Sequence, residues 1–315
     1  MGRLKTLAIA STVATFVLVS IGGLVRATKS GLGCGTDWPD CSGKVIPIFS
    51  DYTVAVEYSH RLAAAIVTVL IAALAFTAIR HHRDQPKIMW SAVGAFFLVL
   101  FQAGLGAVVV MLELHADTVV MHLGTAMTLL ALLVHLTVRV SAQGGRTLRT
   151  DRGVSSSSFV AAVSVFLLLV VGSYLSGTGG TGGFRDWPLM DGQLIPDLEL
   201  KAQTVHFLHR ALAAIVGVIV FVVGLRVMKR KREFPDAARL AHIASGLFAV
   251  EVMIGAANVW TGLNAAFVTL HLAVGAAIWA TLIGMAAVTS PALAAEAARA
   301  RRPASAHGPL AEASR

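Results

Sequence analysis

The stretches EYSHRLAAAIV, residues 57–67, and HFLHRALAAIV, residues 206–216, decide the fold. Each sets a His-Arg pair at the mouth of a long apolar run, where a titratable side chain is costly unless something holds it. They lie 149 residues apart (209 − 60). The same spacing relates Asp37-Trp38-Pro39 to Asp186-Trp187-Pro188, Gly43 to Gly192, Pro47 to Pro196, Gly106 to Gly255 and His122-Leu123 to His271-Leu272. A constant offset predicts a duplication with almost no insertion, one half over 1–145 and the other over 146–290.

Outside these motifs the chain is suited to lipid. Of its 315 residues 56% are hydrophobic and 14% charged, with a mean hydropathy of +0.74, which excludes an ordinary soluble domain. Runs long enough to cross about 30 Å of hydrocarbon occur near 4–25, 54–79, 87–111, 118–140, 158–175, 204–228, 240–260 and 265–287. The first is too long for a signal peptide and lacks a small-residue cleavage site. The expected fold is therefore an all-α integral membrane protein, with eight transmembrane helices as two tandem four-helix bundles. Four spans per half is an even number, so both halves enter from the same side. The pseudo-twofold axis then runs along the membrane normal, unlike the inverted repeats of many transporters.

Positive charge orients the spans. Lys and Arg crowd RHHRDQPK from Arg80, RVSAQGGRTLRTDR from Arg139, RVMKRKREFPDAAR from Arg226, and both ends of the chain. The alternate loops hold only Arg26, Lys29, Lys44, Arg185 and Lys201. This places both termini in the cytoplasm of a multi-pass plasma-membrane protein. The net charge of +9 is read as topology and attraction to anionic membrane lipids, with no nucleic-acid partner. The Ala-, Arg- and Pro-rich tail, 291–315, has little to bury and is expected to be disordered.

Of the eleven histidines, only His60, His122, His209 and His271 pair across the repeat with His at both positions. In each half one lies near the start of the second span and one near the start of the fourth, at one depth. Two imidazoles facing each other in a four-helix bundle suit hexacoordinate haem iron, which takes a nitrogen from each side of a flat macrocycle. Zinc would want more ligands, and no third one repeats with them. Interhelical hydrogen bonding is the bland alternative, outweighed by the duplicated register. His206 shares a face with His209, and the offset favours His209 as the ligand. His81, His82, His115, His135, His242 and His307 are assigned no chemistry. Gln102 and Glu251, polar and mid-span at equivalent positions, are read as tying helices together, with a proton path as the other reading. Cys34 and Cys41, the only cysteines, lie in the first outer loop, where a disulfide is expected. Their repeat positions by the constant offset are Gly183 and Met190.

With GGLVRATKSGLGCGTDWPDCSG (22–43), Glu57-x-x-His60-Arg61 and the duplicated Asp186-Trp187-Pro188 and His209-Arg210, the chain resembles the haem A synthase family of respiratory-oxidase assembly, of bacterial type. That resemblance implies an eight-span membrane oxidoreductase that oxidises a methyl group of haem O to the formyl group of haem A. It implies His60 and His122 around the substrate haem in the first half, and His209 and His271 on the iron of a haem b cofactor in the second. Glu57 falls at the family's active-site glutamate. Its counterpart in the second half is His206, so a carboxylate stands only in the half assigned the chemistry, where it could accept protons or stabilise developing positive charge. A helix-start hydrogen bond is the alternative. Arg61 and Arg210 are candidates for pairing with haem propionates, with snorkelling to headgroups as the other reading. An electron donor, haem O synthase and oxidase assembly factors are the expected partners. A di-haem b-type cytochrome relaying electrons, or a haem carrier, are the rival functions.

Overall fold

The structure, a computed structural model, describes residues 1–49 and 51–301. Eight helices in it are long and apolar enough to cross a membrane: α1 (Gly2–Ala27), α2 (Tyr52–His81), α3 (Pro86–Met111), α4 (Ala116–Gln143), α5 (Arg152–Gly177), α6 (Lys201–Lys229), α7 (Pro235–Trp260) and α8 (Ala265–Val288). The expected all-α, multi-pass membrane architecture is what is found. The helices start where the sequence provides for it. Asp51 caps α2 by accepting from the Thr53 and Val54 N–H groups, Asp151 caps α5 through Val154 N, and Pro86 and Pro235 open α3 and α7, where a missing N–H costs nothing.

Within each half the helices pack in a ring, α1 on α2, α2 on α3, α3 on α4 and α4 on α1, then α5 to α8 in the same way. The halves meet through α1 on α8, α4 on α5, and α4 on α8. The first two contacts are equivalents under exchange of the halves and the third maps onto itself, the pattern a twofold axis produces. Small residues let the backbones approach: Ala8, Ala92, Ala95, Ala161, Ala241 and Ala276 are all buried. Large apolar side chains such as Val69, Phe76, Phe97 and Val218 are left on the outside, where lipid is the solvent. Trp279 Nε1 donates to the Met127 carbonyl across the halves at 3.0 Å.

Two sequence expectations need correction. The tail is not irregular from residue 291: Pro291–Ala300 forms a further helix, α9, docked on α4 by the buried Leu293 and Ala297. Glu296 on α9 meets Arg139 Nε at 3.3 Å and Lys87 Nζ at 3.2 Å, so the helix that ends the second half latches onto the first. Composition concealed this because both charge partners are remote in sequence. Residues 302–315, with His307, lie outside the described residues. The offset, moreover, is not constant. It is 149 from Asp37 onward, but α1 and α5 superpose with 150, as their C-caps Thr28 and Thr178 show.

That one-residue slip falls inside the outer loops and changes what replaces the disulfide. Cys34 and Cys41 are bonded, with Cα atoms 4.5 Å apart. The structural equivalent of Cys34 is Phe184, not Gly183: it is the Cys34 and Phe184 N–H groups that make matching bonds to α2 and α6. Phe184 and Met190 are both buried and stand where the cysteines stand. The Asp186 carboxylate completes the second loop by accepting from Asp191 N at 2.8 Å and Gly192 N at 2.9 Å; these bonds hold its carboxyl below the usual carboxylate range. Both loops otherwise share a two-residue hairpin turn, Ser42-Gly43 and Asp191-Gly192, with all four residues at positive φ.

Candidate active site

The four duplicated histidines project from the second and fourth helices of each ring, α2 and α4, then α6 and α8. These are diagonal members of a four-helix ring, so the pairs face one another across the bundle. In the second half the His209 and His271 ring centroids are 6.4 Å apart and their planes are inclined by 72°. That separation leaves room for one metal ion between the two rings, given bonds of about 2 Å on each side. In His60, His209 and His271 it is Nδ1 that is shut away without a well-aligned hydrogen-bond partner among the described residues.

Each imidazole lies against a glycine of the preceding helix. A Cβ on Gly22 would stand 3.3 Å from His60 Cε1, on Gly106 3.1 Å from His122 Cε1, on Gly172 3.0 Å from His209 Cε1 and on Gly255 3.3 Å from His271 Cε1. Four such contacts in two halves amount to a built seat for each ring. The Gly22 and Gly172 pair was hidden in the sequence by the slip to an offset of 150 (172 − 22). The consequence is measurable: Gly172→Ala is expected to push the His209 ring from its seat and to alter the absorption and EPR spectra of a metal centre held by that ring. Gly246→Ala, in a helix but with open space around it, leaves them unchanged. Identical spectra for both variants would contradict the seat.

Glu57 and His206, both buried, occupy one position in two halves and make one network in two chemistries. Glu57 Oε2 accepts from Cys34 N at 2.8 Å, and Oε1 accepts from Arg61 Nη2 at 2.6 Å and Nε at 3.2 Å. Arg61 Nη1 donates onward to the Asp37 and Asp40 carbonyls at 2.9 and 2.6 Å. In the second half Phe184 N faces His206 Nδ1 at 3.3 Å, Arg210 Nε faces His206 Nε2 at 3.1 Å, and Arg210 Nη1 reaches the Asp186 and Leu189 carbonyls at 3.0 Å each. Each device clamps an outer loop to the top of a helix. A neutral imidazole accepts at only one nitrogen while a carboxylate accepts at both oxygens, so the first clamp is the tighter. Both arginines turn into the loops and bond their carbonyls. Arg61 has every guanidinium nitrogen engaged, whereas Arg210 Nη2 is buried without a partner among the described residues, a donor suited to an anion.

Gln102 and Glu251 do more than tie helices. Gln102 Nε2 is 2.9 Å from the His122 carbonyl and 3.1 Å from His122 Nδ1, and Glu251 Oε1 is 3.2 Å from His271 Nδ1. Each polar residue precedes its histidine by 20 positions (122 − 102; 271 − 251) across a helical hairpin. That constant separation was the available signal. Among the described residues no group of three or more His, Cys, Asp or Glu side chains converges as a metal site. Each candidate centre is thus two imidazoles, and it fits an ion that brings its remaining donors with it, as the iron of a porphyrin does.

An all-α polytopic membrane protein with two histidines on diagonal helices in each of two repeated halves is the class that this fold and site define. The chain belongs to the COX15-CtaA family of cytochrome oxidase assembly proteins, whose model matches residues 5–54 and 48–283. It is 29% identical over 259 residues to a protein named heme A synthase from Shouchella clausii, covering 81% of this chain and 84% of that one. It is likewise 29% identical over 300 residues to a heme A synthase from Symbiobacterium thermophilum, covering 92% and 97%. A Thermus thermophilus protein named protoheme IX farnesyltransferase is 29% identical over 286 residues, which cover 86% of this chain but 46% of that protein.

Proposed function

We propose that this protein is a haem A synthase, oxidising a methyl group of haem O to the formyl group of haem A for a terminal oxidase. The paired histidines seated on glycines carry the proposal, together with the heme A synthase relatives that the chain matches along most of its length. The substrate, haem O, is held in the first half (1–145) between His60 and His122. Haem b is the cofactor of the second half (146–290), with His209 and His271 as its iron ligands and Arg210 Nη2 available to a propionate. When bound, haem b supplies one-electron redox chemistry. The chain supplies the rest. The glycine seats fix the imidazole rings that would hold the haems, and the clamped outer loops with the ring of helices would shield a bound haem from water.

Glu57 is the carboxylate that serves the oxidation. Its oxygens are taken up by Arg61 and Cys34 N, which favours a fixed negative charge beside the reacting edge over a side chain that swings in to collect a proton. Arg61 is assigned to positioning Glu57, with Arg210 the arginine left to pair with a propionate. The protein sits in the plasma membrane with both termini cytoplasmic, so the disulfide loop lies outside, where oxidation of its cysteines is favoured. Reporter fusions after Arg83 and Arg232 should therefore read cytoplasmic and one at Ser42 external; reversal of any of them would break the topology.

Partners follow from the chemistry: an electron donor, a haem O synthase and oxidase assembly factors, all reached within membrane lipid. The Thermus relative named protoheme IX farnesyltransferase supports a link to farnesylated haem, since a segment like this chain forms part of that longer protein. Chromatography of pigments extracted from the purified protein tests the function. Haem O or haem A beside haem b is expected. Haem b alone in both halves would make the protein an electron relay, and no pigment at all would end the haem readings.

A further inference from the structure

Among the positions at which the two halves differ, one touches the paired histidines directly. Gln102 and Glu251 are equivalents on α3 and α7, yet they offer opposite chemistry to the ring nitrogen they face. The Gln102 amide nitrogen lies 2.9 Å from the His122 main-chain carbonyl. A carbonyl oxygen accepts only, so the NH2 end of the amide must point there; turning the amide would bring two acceptor oxygens together. The same nitrogen is 3.1 Å from His122 Nδ1. It donates there too, which requires Nδ1 to carry no proton and puts the proton of the neutral ring on Nε2. An Nε2–H ring offers a haem a donor, not a lone pair.

Glu251 reverses this. A carboxylate can only accept, and its Oε1 is 3.2 Å from His271 Nδ1. The contact is imperfectly aligned, but among the described residues Oε2 has no partner to hold the group back. Nδ1 of His271 therefore carries the proton, which leaves the Nε2 lone pair available to iron. The fold makes room for the charge. Gly275, one turn along α8 from His271, lies against Glu251, and a Cβ there would stand 3.2 Å from Oε1. The first half has Ala126 at the equivalent position and an uncharged amide opposite it.

We propose that Gln102 and Glu251 set His122 and His271 in opposite tautomers, making His271 a firm iron ligand and His122 a releasable one. For His122 to bind iron through Nε2, its proton must move to Nδ1 and its bond from Gln102 must break. Ligation by His271 costs nothing of the kind. This rests on the reading of the first half as a substrate site and the second as a cofactor site, and it supplies the physical difference they need. A substrate haem must enter and leave, whereas a cofactor must stay. Gln102 and Glu251 are positioning residues in this scheme, acting through the histidines.

The test uses the full-length protein in detergent, loaded at both sites with haem b and mixed with excess apomyoglobin, which captures released haem. Release is expected in two phases. Glu251→Gln should accelerate the slow phase roughly 10- to 100-fold, the usual effect of removing a partner that orients a ligand histidine, and make that haem's reduction potential more positive. Glu251→Asp should restore part of both. Gln102→Glu should slow the fast phase. A purely packing role for Glu251 would leave the potential unmoved, and that result, or release rates unchanged by both substitutions, overturns the proposal. Failure of the underlying reading looks different: haem binding would then be absent, or insensitive to His271→Ala.

Discussion

His271→Ala is expected to abolish the b-type absorbance of the purified protein, and His209→Ala to do the same. The two rings are 6.4 Å apart across the second bundle, so an iron between them depends on both. With one removed, the remaining imidazole offers a single axial bond and no low-spin hexacoordinate centre can form. The fold has little reason to fail, because neither ring takes part in the hydrogen bonds that clamp the loops. The first half should keep the haem it holds, since its own histidines and glycine seats lie in a separate ring of helices. Absorption spectra and haem-to-protein ratios check this. Full haem b with an unchanged low-spin spectrum in both variants would mean that the cofactor ligands lie elsewhere.

The other large effect is expected at Glu57. Glu57→Gln keeps the volume and an oxygen for Cys34 N, but it removes the charge facing Arg61. Breaking that contact costs stability on the order of 1–3 kcal/mol; the disulfide and the bonds from Arg61 to the Asp37 and Asp40 carbonyls still hold the loop. Both haem sites should stay occupied while formation of haem A falls by at least ~10²-fold, the scale of a missing acid, base or charge-stabilising group. Substrate or a partly oxidised form of it then accumulates. His206→Gln is the internal control, because His206 performs the same loop-clamping task in the other half. Equal loss from both substitutions would show that the clamp alone matters, and normal haem A from Glu57→Gln would remove the carboxylate from the chemistry.

Much of this was legible in the chain because membrane helices and a duplication leave direct marks. Apolar runs, Asp and Pro at helix starts, and the recurrence of His60, His122, His209 and His271 at one spacing carried the architecture and the pairing of the histidines. What escaped depends on contacts between residues remote in sequence. The one-residue slip that pairs Cys34 with Phe184 and Gly22 with Gly172 shows no identity at the cysteine and only one glycine among many at the other position. It emerges from which N–H meets Glu57 or His206. The roles of Gln102 and Glu251 turn on the direction a side chain takes across a hairpin, which a polar residue in an apolar run does not reveal. Helix α9 has the composition of a solvated tail, and its order comes from burying Leu293 and Ala297 against α4 and from the pairing of Glu296 with Arg139 and Lys87 of the first half.

The central claim is that two halves of common origin have divided the labour, one transforming a haem and the other keeping one. Expression of the chain in cells that make haem O but no haem A tests it most directly, with the pigments of the membranes and of the purified protein separated by chromatography. Haem A should appear, and the purified protein should carry haem b besides haem O or haem A. Accumulation of haem O without any haem A, from protein whose haem b is fully in place, would contradict it.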